Sequence, residues 1–263
     1  MINSMQLAII KKDLRFITAN KSLLTGIIIV PLVFTIVLPV AFFLGIHFAP
    51  DEMKDLQVML DMLPLSQQFE TMQRTIIALM LNYILPNFFM IIPIIVATTM
   101  AASSFVGEKE KRTLETLLYC PLPLKQIFQS KVWASFFLSM AVTFVSFVVM
   151  LVVVQTGTLL TTGSMMLPGI SWLVVMLLVS PAISLLAITL IVGGSAKAQT
   201  IEESYQRSVF LVIPLLLIIA GQFTGVILIN AWYLLGAGAV LAVIAAIWLK
   251  RSMGKFIYEM LLK

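Results

Sequence analysis

Residues 76–106, IIALMLNYILPNFFMIIPIIVATTMAASSFV, contain no charged side chain. A helix rises about 1.5 Å per residue, so about 20 apolar residues span a hydrocarbon core roughly 30 Å thick. This run is long enough to cross with residues to spare, and too long for the single buried helix of a soluble domain. Five further runs read the same way: Leu23–Phe48 (23–48), Val132–Val154 (132–154), Ile170–Gly194 (170–194), Val209–Ile229 (209–229) and Trp232–Leu249 (232–249). The chain as a whole agrees, with 60% hydrophobic and 11% charged residues and a mean hydropathy of +1.07. The expectation is an all-α integral membrane protein of six transmembrane helices, a single domain over 1–263.

The charges fall outside these runs, as the cost of an ion at a span centre demands. One side collects Lys11, Lys12, Arg15 and Lys21 before the first span, and Lys109, Lys111, Arg112, Lys125 and Lys131 after the second. The same side takes Lys197 and Arg207 after the fourth span and Lys250, Arg251, Lys255 and Lys263 in the tail. The other side has only Lys54 and Arg74, set against Asp51, Glu52, Asp55, Asp61 and Glu70. By the positive-inside rule the basic side is cytoplasmic, with both termini. The net charge of +5 then reflects orientation and predicts no nucleic-acid partner. The first apolar run starts after 22 residues and exceeds the roughly 7–15 of a signal h-region, so it is expected to stay as a span. Cys120 is the single cysteine, so no internal disulfide forms.

Outside the spans, residues 1–22 predict an interfacial helix, with Leu7, Ile10, Leu14 and Ile17 on one face and Lys11, Lys12 and Arg15 on another. The loop after the first span predicts a short surface helix, Met53, Leu56, Leu60 and Leu63 keeping helical spacing until Pro64, with Ser66 as a cap for the next helix. The uncharged connection QTGTLLTTGSMMLPG predicts a short link that dips into the interface. The last two runs are separated by a few residues around Asn230, so they form either a tight hairpin of two crossings or a re-entrant pair. Pro31, Pro39, Pro86, Pro93, Pro181 and Pro214 lie within runs, where neighbouring helices can satisfy the freed carbonyls.

Several chemistries are excluded. The only histidine, His47, lies at the outer end of the first span, and no acid lies within any span. No metal centre or acid–base pair is therefore expected, and ion-coupled transport lacks its usual intramembrane relay. No phosphate-binding loop is present: Gly254 and Lys255 are followed by Phe256 without the upstream glycine. If the chain moves a cargo, the energy enters from a partner.

The segment that follows the quoted run, GEKEKRTLETLLYCPLPLKQ at 107–126, is the most charged in the chain. Glu108 precedes Arg112 by one helical turn in the favourable ion-pair order, and Leu114, Leu117 and Leu118 form an apolar ridge that Pro121 ends. Such a ridge suits docking on a soluble partner or resting on the bilayer, and the spacing favours neither. The segment resembles the G-E-[KR]-E-x-G-T-L-E-x-L-L-x-x-P signature that follows the second span of ABC-2-type transporter permeases. The matching residues are Gly107, Glu108, Glu110, Thr113, Leu114, Glu115, Leu117, Leu118 and Pro121. Arg112 stands where the family usually has glycine, and QSK at 129–131 where glycine-lysine is common.

The resemblance implies a type V exporter-like permease fold whose 107–131 loop forms a coupling helix against cytoplasmic ABC ATPase subunits. It also implies a second permease subunit, in a homo- or heterodimer within membrane lipid, and a place in the cell membrane of a bacterium or archaeon. ATP and Mg would be bound by the partner ATPase and no cofactor by this chain, which would be a transport subunit and not an enzyme. The rival readings are a self-sufficient channel or secondary carrier, and a membrane scaffold that recruits a cytoplasmic protein.

Within the spans, Ser135, Ser139, Thr143 and Ser146 fall inside about 80° of a helical wheel. With Asn82, Asn87, Thr98, Thr99 and Gln222 they are candidates for a translocation path or for helix packing. Gly221 and Gly225 form a GxxxG pair that suits close helix approach. In families of this type the first and fifth spans meet between subunits. A path with these few polar groups suits an amphipathic or lipid-like cargo.

Overall fold

The computed structural model describes residues 3–48, 60, 63, 69, 71–111, 121–195, 198, 200–224 and 229–261. No strand occurs among them. After α1 (Ser4–Ala19) come six helices long and apolar enough to cross a membrane: α2 (Lys21–Phe48), α3 (Met72–Glu110), α4 (Leu124–Thr162), α5 (Ile170–Ser195), α6 (Ile201–Phe223) and α7 (Ala231–Leu261). Each of the last two is by itself long and apolar enough to cross. The expected surface helix between α2 and α3, with Pro64 and Ser66, lies almost entirely outside the described residues.

The centre of the bundle is α3. Its most apolar stretch is 94% buried, against 61% for α5, 28% for α2 and α4, 19% for α6 and 17% for α7. Helices α4, α5 and α6 surround it, and α7 packs mainly on α5. The core is closed by Phe89, whose ring meets Trp172 edge-on at 5.3 Å between centroids. A Cβ at Gly157 of α4 would overlap the Phe43 ring of α2, so only glycine lets these two helices approach as they do.

Three helices contain one π turn each: Val33–Val37 in α2, Met80–Ile84 in α3 and Val175–Val179 in α5. Each begins six residues before a proline, at Pro39, Pro86 and Pro181 respectively. The ring of proline clashes with the carbonyl four residues back and offers no N–H, and widening the preceding turn relieves both. The residue before each proline instead donates five residues back: Leu38 to Val33, Leu85 to Met80 and Ser180 to Val175. In α3 this deprives the Leu81 carbonyl of a helical donor, and Trp172 Nε1 supplies one from α5 at 2.8 Å.

The boundaries of the third span, α4, differ from the sequence expectation. With 39 residues, α4 is one continuous helix of about 58 Å, starting two turns before Val132. Residues 124–131, expected in the cytoplasmic loop, belong to it. It ends at Gly163, whose φ of +67° closes the helix in the left-handed region while its N–H bonds Leu159 O. The following uncharged link folds back on the helix, Gln155 Nε2 donating to Met166 O at 2.5 Å.

Candidate functional site

Helix α3 does not stop with its apolar run. Val106 N–H bonds Ala102 O and Glu110 N–H bonds Val106 O, both at 2.9 Å, so one further turn, Gly107–Glu110, emerges from the bundle. That turn is fixed on two sides.

On the first side lies the connection between α5 and α6. A Cβ at Gly107 would stand 3.2 Å from Ile201 Cδ1, closer than nearly all side-chain contacts, so the glycine admits the start of α6. Glu110 Oε2 accepts the Ile201 backbone N–H at 3.0 Å, and Thr200 caps the same helix by accepting from Glu203 N–H at 3.2 Å. Carboxylates at a helix N-terminus are favoured by its free N–H groups and dipole. Lys109 donates to Ala198 O at 3.0 Å.

On the second side lie α1 and the first turns of α4. Glu108 accepts Lys12 of α1 on Oε1 and Lys131 of α4 on Oε2, the latter at 2.6 Å. Lys131 also donates to the Ser104 carbonyl, and Ser104 Oγ donates to Asp13 Oδ2 at 2.5 Å. Lys12 lies 3.3 Å from Asp13 Oδ1. Two ammonium groups and two carboxylates are thereby gathered without net charge, and each of the buried ones has partners, which is what makes their burial affordable. Lys131 is 1% exposed, Asp13 4% and Glu108 9%. Lys12 is half-exposed: partial burial pulls its pKa down, but the bond to Glu108 and the attraction of Asp13 outweigh that and leave it raised.

Helix α1 is pre-organised for this contact. Asn3 and Gln6 form a reciprocal capping box at its start, and Gln6 Nε2 reaches the Gln126 carbonyl of α4 at 3.5 Å. At its other end the Lys111 ammonium sits 3.7 Å from the Phe16 ring centroid. The face turned inward is Gln6, Ile9, Ile10, Asp13 and Ile17. Leu7, expected on that face, is 59% exposed, because the helix docks on α4 and rotates to bring Asp13 to Ser104.

Of the expected coupling residues, Gly107, Glu108 and Glu110 meet at this junction. Pro121 is exposed ahead of α4. Arg112, Thr113, Leu114, Glu115, Leu117 and Leu118 lie outside the described residues, so the expected Glu108–Arg112 pair does too. Lys12, Asp13, Ser104 and Lys131 were not singled out as site residues. The available signal was the spacing of Lys131, Ser135, Ser139 and Thr143, which extends the polar stripe of α4 by one turn to a charge.

The polar residues of the spans fall in two groups. Ser135, Ser139, Thr143 and Ser146 are buried, and Ser139 Oγ lies 3.0 Å from both Pro93 O of α3 and Ser184 Oγ of α5. Thr98 and Thr99 are also buried, Thr98 Oγ1 bonding Ile94 O at 2.8 Å. Asn87 Nδ2 donates to Gln222 Oε1 of α6 at 2.7 Å, and Asn82 Oδ1 accepts the Gly169 N–H at 2.6 Å. Gly221 is half-buried, and Gly225 lies outside the described residues.

The family model described as ABC-2 family transporter protein matches residues 7–247. No curated protein and no solved structure matches the chain.

Proposed function

The chain belongs to the ABC-2 transporter family, as a multi-pass membrane permease component of an ABC transporter, and from that premise we propose that it serves an exporter driven by separate ATPases. A second permease completes the path, and the 107–121 segment receives the stroke of a cytoplasmic ABC ATPase that binds ATP and Mg. Both termini face the cytoplasm of a bacterial or archaeal cell. The observation that carries this reading is the junction at Glu108. One carboxylate joins the end of the central helix α3 to α1 and α4, while Glu110 two residues on holds α6. A push on this turn therefore reaches four helices through bonded contacts and not through a loose loop. The permease itself carries no bond chemistry in this scheme.

The test uses the full chain purified from membranes with its ATPase. Glu108→Ala and Leu117→Asp are expected to weaken ATPase retention or to abolish ATP-dependent cargo movement in proteoliposomes, with membrane insertion unchanged. Normal binding and transport in both variants would sink the assignment. A chain that transports without any ATPase would restore the carrier reading.

A further inference from the structure

Over the last turns of α5 a crevice of about 950 Å³ opens between α5, α6 and α7. Its wall is apolar at Leu190 of α5, Phe210 of α6 and Trp248 of α7, and polar at Arg251 and Ser252 of α7. Trp248, Arg251 and Ser252 stand at i, i+3 and i+4, so α7 turns one face to the crevice. The apolar run of α7 ends at Leu249, between the tryptophan and the arginine. The crevice therefore straddles the level at which hydrocarbon gives way to headgroups, and Trp248 is a residue type that marks this level.

Arg251 lines the crevice with its charge unpaired by protein. It is exposed, and among the described residues no carboxylate lies within ion-pair reach of it. Nor does it cap α5, where Val192 O accepts from Ser195 Oγ at 2.8 Å and Gly194 O from Ala198 N–H at 3.1 Å. A guanidinium offers a planar fork of donors that matches the oxygens of a phosphate. No carboxylate lines the crevice among the described residues, so the ammonium of a zwitterionic headgroup would find no partner there.

We propose that the crevice holds one anionic phospholipid of the leaflet at the C-terminal end of α7, its phosphate paired with Arg251 and its chains beside Leu190 and Trp248. A soluble anion would leave the apolar part of the wall without contacts, and a neutral hydrocarbon would leave the guanidinium without an acceptor. An anion attached to hydrocarbon meets both. At about 30 Å³ per water-sized group, the space takes about thirty non-hydrogen atoms, enough for the headgroup, glycerol and upper chains of one molecule. Both α6 and α7 pack on α5, so the occupant bridges them. The site lies within one subunit and does not depend on the transport reading.

The full chain is placed in nanodiscs containing a phosphatidylglycerol with a diazirine near the ester end of one chain, and adducts are mapped after illumination. Thr189 and Leu190 line the crevice, the first 2% exposed and the second half-buried, so adducts there require a chain inside it. They are expected well above those on Met100, buried outside the crevice. Gly254 lines the crevice and has open space where a Cβ would stand. Gly254→Leu is expected to abolish the crevice adducts while those on the exposed Phe144 and Val152 of α4 persist, which also reports intact folding. Unlabelled phosphatidylglycerol is expected to compete about fivefold better than phosphatidylcholine, the reach of one basic side chain near the bilayer surface. That preference is expected to vanish in Arg251→Gln and to survive Lys250→Gln, which removes the same charge one residue outside the wall. Free glycerol phosphate at millimolar concentration is expected not to compete. Adducts confined to exposed faces, or unchanged by Gly254→Leu, overturn the site. Equal competition by the two lipids, a preference that Arg251→Gln keeps, or one that Lys250→Gln also removes overturns the pairing with Arg251. Competition by glycerol phosphate overturns the lipid in favour of a soluble anion.

Discussion

Glu108 holds two ammonium groups whose surroundings are unlike. The Lys12 side chain is 51% exposed and that of Lys131 1%. Exposed pairs contribute about 0–1 kcal/mol, whereas removing one partner of a buried pair costs about 3–5 kcal/mol because the other charge is stranded. Lys131→Met is therefore expected to lower stability far more than Lys12→Ala, as measured by unfolding in mixed micelles. Glu108→Gln combined with Lys131→Met is expected to cost less than the two changes summed; strict additivity would mean that the charges do not interact. Of the two carboxylates only Glu108 was legible, because it sits in a recognisable motif. Lys131 was not, because hydropathy assigns a charge beside an apolar run to the loop, while the helix in fact starts two turns earlier. Asp13 was hidden for a related reason: on an amphipathic helix an acid reads as solvated unless its partner, here Ser104 on another helix, is known.

At the level of elements, proline acts through the turn before it. Pro86 opens the π turn, the π turn strips Leu81 O of its donor, and Trp172 supplies a replacement from α5. Replacing Pro86 with alanine lets Leu85 return to an ordinary bond with Leu81 O. Trp172→Phe is then expected to cost about 1 kcal/mol or more in the native background and measurably less in Pro86→Ala. A double-mutant cycle on unfolding free energies reads the difference, and equal costs in both backgrounds would break the proposed link. The six spans and their prolines were legible from composition. Which prolines would open a π turn was not, since Pro31 and Pro214 lie inside unbroken α-helix and Pro93 near the start of one. A helix can answer a missing N–H by bending, by widening or by borrowing a side chain, and the choice is made by what packs against it.

At the scale of the whole molecule the unequal burial of the spans is the feature that hydropathy could not rank. Lipid and protein interior are equally apolar, so α3 and α7 look alike as runs although one is the core and the other a wall. The small and hydroxyl residues near the end of α3, Ala97, Thr98, Thr99, Ala101, Ala102, Ser103 and Ser104, are the trace of close packing that the sequence does carry. The charge distribution predicts a cytoplasmic basic side, and Cys120 provides a direct check. A membrane-impermeant maleimide is expected to label intact cells only after permeabilisation, and labelling of unopened cells would reverse the topology.

The exposed face of α6 bears on assembly. Phe210 and Leu217 lie two turns apart on one side of the helix, 73% and 68% exposed, and Gly221 follows Leu217 by one turn. This face lies opposite the buried Leu215 and Ile219 of the same helix, so it is turned toward bilayer or a second permease. Large apolar residues ending in a glycine suit the second use, because the missing side chain lets another helix approach at that level. In a background with Cys120→Ser, Leu217→Cys is expected to form a disulfide-linked dimer in native membranes under mild oxidant. Phe144→Cys, 61% exposed on α4, is expected to remain monomeric. Dimers from Phe144→Cys and none from Leu217→Cys would move the subunit interface to α4 and leave the α6 face to lipid.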